Sequence, residues 1–78
     1  MPTDAERIVT EIKIIKDKRP SVIELDGIME YVLLHPNITI TDAKNYIRDK
    51  MPTKMGGRYI EVASTLSWLI QRLKITPK

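Results

Sequence analysis

The chain has no cysteine among its 78 residues. That absence excludes a disulfide framework and any zinc site built on thiolates. His35 is the single histidine, so zinc constellations that use several histidines cannot be assembled either. No apolar run approaches the ~20 residues that a membrane-spanning helix needs. Met1-Pro2-Thr3-Asp4 is not followed by the apolar core of a signal peptide. The expected compartment is the cytoplasm. A phosphate-binding loop is missing as well, because Gly56-Gly57 lacks the Gly-x-x-x-x-Gly-Lys-Ser/Thr spacing. No Asp-x-Asp-x-Asp-Gly calcium loop occurs. His35 stands beside Pro36 at a predicted helix end, where a cap or surface role is the ordinary one, and no elbow-like motif supplies a nucleophile. The sequence therefore points to no catalytic residue, no cofactor, no metal and no small-molecule substrate. It reads as a binding protein rather than an enzyme, in one domain spanning 1–78.

What is present is helical periodicity. Thr3 and Glu6 form a Thr-x-x-Glu capping box before a helix over about 4–18. Ala5, Ile8, Val9, Ile12 and Ile15 share one face of that helix, with Ile14 opposite. Arg19-Pro20 ends it, since the residue before proline avoids helical angles. Ser21 and Glu24 predict a second capping box and a helix over about 22–34. Leu25, Ile28, Met29, Val32 and Leu33 give it a broad apolar face, widened by Ile23, Tyr31 and Leu34. Apolar character on most sides predicts that this is the central, most buried helix.

His35-Pro36-Asn37 stops the second helix. Ile38-Thr39-Ile40 is β-branched throughout and fits one rung of a small sheet, with Ile75-Thr76 as its only available partner. Thr41 caps a third helix over about 42–50, with Ala43, Tyr46 and Ile47 inward. Residues 52–58 read as a turn whose two glycines are free to take positive φ. The fourth helix spans about 59–74. Tyr59, Val62, Ala63, Leu66, Leu69, Ile70 and Leu73 form its apolar stripe, and Glu61, Ser64, Thr65, Trp68, Gln71 and Arg72 lie opposite. The expected class is mainly α, with four helices and at most a minimal two-strand β element.

The net charge is only +3, but the charges are segregated. Residues 20–42 carry Glu24, Asp26, Glu30 and Asp42 and no Lys or Arg. Residues 44–58 carry Lys44, Arg48, Lys50, Lys54 and Arg58 against Asp49 alone. Residues 13–19 add four more cations against Asp17. Such segregation creates either a one-sided field or ordinary solvated helix faces.

The order helix, short β segment, helix, turn, helix resembles the core of a helix-turn-helix domain of the winged type. The carrying residues are 28–34, Ile38-Thr39-Ile40, 42–50 and 59–74, so the resemblance covers about 22–76. Helix 1 would be an added N-terminal element, a frequent place for a homodimer contact. Two departures stand out: the turn before the last helix is longer than three or four residues, and no length remains for a full wing. The resemblance implies that the last helix enters the major groove of double-stranded DNA. Arg58, Glu61, Ser64 and Thr65 would then meet base edges, with Trp68 and Arg72 further along the helix, while Lys44, Arg48, Lys50 and Lys54 neutralise flanking phosphates. A DNA-binding transcription regulator is thus the first expectation. The second is a helical module for a protein partner, centred on Trp68, the only tryptophan, and Ile14. Met51 and Met55 would be adaptable contacts beside them.

Overall fold

Thr3 does open the first helix. Its hydroxyl accepts from the Glu6 amide at 3.1 Å, and the Glu6 carboxylate accepts from the Thr3 amide at 2.9 Å. The computed structural model describes residues 2–74, and within them four helices follow one another. They are α1 (Asp4–Lys18), α2 (Glu24–Leu34), α3 (Ile40–Asp49) and α4 (Tyr59–Lys74). No strand occurs among the described residues, so the fold is mainly α. The suggested partner strand at Ile75-Thr76 lies outside the described residues.

Segment 38–40 is not a rung of a sheet. Ile38 is buried in the core and Ile40 already belongs to α3. The cap is Thr39 rather than Thr41: the Thr39 hydroxyl accepts from the Asp42 amide at 3.1 Å. A second acceptor comes from another helix, because the Asp4 carboxylate of α1 takes the Ile40 amide at 3.2 Å. Two orphan amides at the start of α3 are thereby satisfied.

The predicted capping box of α2 does not form. The helix begins at Glu24 with Ile23 at the cap and no side-chain bond there. Glu24 faces Arg58 instead. Arg58 Nη1 and Nη2 each reach a Glu24 oxygen at 3.0 Å, and Nη2 also donates to the Ser21 carbonyl at 3.2 Å. A two-pronged charged pair outcompetes a single neutral cap bond. No glycine among the described residues adopts positive φ, so the 52–58 turn is made without the freedom that its glycines offered. Tyr59 instead donates its amide to the Gly56 carbonyl at 3.0 Å.

The central helix is α1, not α2. It packs against all three others, whereas α2 rests on α1 and α3 and barely touches α4. Ile8, Ile12 and Ile15 of α1 are wholly buried with Leu25, Ile28 and Val32 of α2, Ala43 and Ile47 of α3, and Val62, Leu66 and Leu69 of α4. The N-terminal helix is therefore part of the core rather than an addition to it. Its apolar stripe is narrow but sits where three neighbours meet. The wider apolar surface of α2 has fewer neighbours, and Ile23, Leu33 and Leu34 remain in water.

Helix α4 is covered on two sides, by α1 and by α3. It runs antiparallel to α1: Arg7 donates to the Leu73 carbonyl at 3.4 Å, Glu11 pairs with Arg72, and Arg19 stands over Trp68. A single-stripe reading of α4 misses this second covered side.

Candidate functional site

The two-sided cover of α4 decides what its residues can reach. Thr65 is 1% exposed, so it cannot meet a base or a phosphate. Its hydroxyl has no hydrogen-bond partner among the described residues. Trp68 is half-buried against the core, with the Arg19 guanidinium 5.9 Å from the ring centre. That placement gives the tryptophan an intramolecular cation–π partner and removes it as a freely exposed anchor. Ile14, in the same antiparallel register, is 37% exposed. Arg72 is paired with Glu11. Ser64 stays on the surface but donates to the Glu61 carbonyl one turn back at 3.2 Å.

Arg58 is engaged in the fork with Glu24 and Ser21. Its hydrogen bonds to Glu24, with their coulombic attraction, raise the Arg58 pKa. The same bonds hold the Glu24 carboxyl below the ordinary glutamate value, against a smaller opposing effect of burial. Arg58, just before α4, and Arg72 on it, the two arginines expected to grip DNA there, are thus already paired with carboxylates of their own chain.

The remaining expected cations lie on α3 and the loop after it. Lys44 is half-buried on α3, and Lys54 is exposed in the loop. Arg48 Nη1 donates to Asn45 Oδ1 at 3.1 Å. The Lys50 ammonium sits 5.1 Å from the centre of the Tyr46 ring. None of these four pairs with a carboxylate among the described residues. The structure therefore divides the proposed DNA-binding set: Lys44, Arg48, Lys50 and Lys54 on α3 and the loop after it, Arg58 and Arg72 tied to carboxylates, Ser64 on the surface of α4 and Thr65 inside.

A second surface was not anticipated as a site. At the C-terminal end of α2, Leu33 is 64% and Leu34 70% exposed. Each lines a separate hollow. Leu33, with Ala5, Val9, Val32 and Pro36, walls an apolar groove of 640 Å³ between the start of α1 and the end of α2. Leu34 shares a cleft of 590 Å³ between α2 and α3 with Tyr31, Tyr46, Asp42, Asn45 and Asp49. The cleft wall is a ladder of rings. Tyr31 and Tyr46 stack with centres 3.7 Å apart and planes 10° apart, and His35 lies 4.2 Å from Tyr31. His35 Nδ1 is 2.8 Å from the Tyr31 carbonyl. A carbonyl only accepts, so Nδ1 carries the proton in that bond. The sequence signal for this surface was the excess apolar width of α2, which exceeds what two neighbouring helices can cover.

No group of three or more His, Asp or Glu side chains among the described residues is arranged to hold a metal ion. No described helix is long and apolar enough to cross a membrane. No protein-family model, curated protein or solved structure matches the chain.

Proposed function

We propose that the chain is a helical docking module whose partner is a protein, engaged at the C-terminal end of α2. The observation that carries this reading is the exposure of Leu33 and Leu34, side by side, each at the lip of a hollow. Leaving a leucine in water forgoes roughly 1.5–3 kcal/mol of burial free energy. Two adjacent ones flanked by concave surface suit a partner that supplies the missing cover. On this reading the docking face is on α2, away from the Trp68 and Ile14 surface that the sequence offers for a protein partner. The test is affinity capture from source-cell lysate with the native chain and with Leu33→Ser/Leu34→Ser. A partner retained by the native chain and lost with the variant is expected. Equal retention by both would sink the assignment of this face.

Double-stranded DNA is the second reading, favoured by one observation: the four cations Lys44, Arg48, Lys50 and Lys54 have no carboxylate partner among the described residues. On this reading phosphate contacts come from α3 and the following loop, not from α4. A salt titration against a random-sequence duplex tests it, since each released counterion steepens the log–log slope. The expected slope corresponds to at most about four phosphates, and Lys50→Glu/Lys54→Glu should flatten it. Undetectable binding at low salt would remove this reading.

A further inference from the structure

The cleft between α2 and α3 carries charge that the described residues leave unanswered. Asp42 and Asp49 both line it, and neither is paired with a Lys or Arg among the described residues. They stand seven positions apart on α3, which puts them on one face with about 10 Å of axial rise between them. Asp42, in the first turn, has an ordinary helical reason to be acidic. Asp49 has none: it occupies the last turn, where the helix dipole disfavours a carboxylate. Between the two lie Asn45 and the Tyr31–Tyr46 stack, and Leu34 supplies an exposed apolar lip. The nearby cations stand at the margins, Arg48 bonded to Asn45 and Lys50 over Tyr46. An apolar and aromatic floor with a carboxylate at each end matches an apolar segment that carries a cation at each end.

We infer that this cleft receives a basic peptide segment of the protein partner, two cationic side chains meeting Asp42 and Asp49 and an apolar side chain between them lying on Leu34. The inference rests on the docking reading above and names the chemistry of what docks. In a polyproline II segment, with three residues per turn and a rise of about 3.1 Å, cations three residues apart share one face and span about 9 Å, close to the separation of the two carboxylates along the helix. Each pair stays partly in water, so the charges contribute selectivity more than strength.

The experiment titrates the ¹⁵N-labelled full chain with the acetylated, amidated peptide Lys-Leu-Leu-Lys, read by amide chemical shifts at low salt. The expected result is saturable shifts at residues 31–37 and 42–49. The Kd should weaken about three- to fivefold in Asp49→Asn, the loss of one exposed charged pair. Gln-Leu-Leu-Gln should bind correspondingly less well. If Gln-Leu-Leu-Gln binds as tightly and Asp49→Asn changes nothing, the charge inference is overturned while docking on Leu34 stands. Spermidine binding as tightly as the peptide, at the same amides, would overturn the choice of a peptide in favour of a free amine. Absence of shifts with either peptide would overturn the cleft as a site. The docking reading itself would then stand or fall on the Leu33→Ser/Leu34→Ser capture.

Discussion

Gly27 sits inside α2, where glycine costs about 1 kcal/mol relative to alanine because it has more backbone freedom to lose. Beyond the adjacent backbone of α2 itself, a Cβ there would meet no described atom within 4 Å. Gly27→Ala should therefore raise the unfolding free energy by roughly 0.5–1 kcal/mol, measured by urea denaturation. Thr65 offers a second gain of this kind. Its buried hydroxyl lacks a partner among the described residues, and a buried polar group without one costs on the order of 1–3 kcal/mol. Thr65→Val keeps the branched shape and removes the orphan oxygen, so a higher melting temperature is expected. A lower one would show that the hydroxyl finds an acceptor within α4. An exposed lip residue and a buried core residue behave differently. Leu34→Ser should leave stability within about 0.5 kcal/mol, as for other surface positions, while Ile12→Ala should cost about 2–5 kcal/mol as a core truncation.

Among the elements, α2 and α4 touch little except through the Glu24–Arg58 fork, which ties the start of one to the start of the other. Glu24 has a depressed pKa in the folded chain. Its contribution is therefore present above the ordinary glutamate pKa of about 4.3 and is lost as pH falls through the lower folded value. In urea melts, the native chain should exceed Glu24→Gln in stability at pH 7, and the gap should close in strong acid. A gap that persists unchanged at pH 2 would mean that the pair's charge is not the source. The effect is small, because both side chains are substantially exposed. The same fork explains which element boundaries were legible beforehand. The Thr3–Glu6 box was readable because cap and partner are three residues apart. The Ser21–Glu24 box failed because Glu24 was claimed by an arginine 34 residues away. Thr39 displaced Thr41 as the cap of α3 beside Asp4, a residue of another helix. Local chemistry was visible in the pattern, and long-range competition for the same side chain was not.

At the scale of the whole molecule, helix periodicity identified four helices and most of the inward residues, but not which helix lay in the middle. That depends on how many neighbours each face acquires, which a one-helix pattern does not contain. It also displaced the expected site. Thr65 and Trp68 looked exposed because α4 was assigned one covered side, and α1 provides the second. The α2 leucines looked buried for the opposite reason. With α1 at the hub, the chain should unfold in one step. Amide exchange in α1 should then be as slow as anywhere in the molecule, tracking global unfolding. Faster exchange throughout α1 than in α3 and α4 would contradict that role.

The hub is also synthesised before the three helices that cover it. Ile8, Ile12 and Ile15 complete their cover only when α4 follows. At about 5–20 residues per second, synthesis of the intervening sixty or so residues takes on the order of several seconds. Throughout that interval a nascent isoleucine stripe is available to chaperones or other unfinished copies, so crowded translation is when this chain is most open to misassembly.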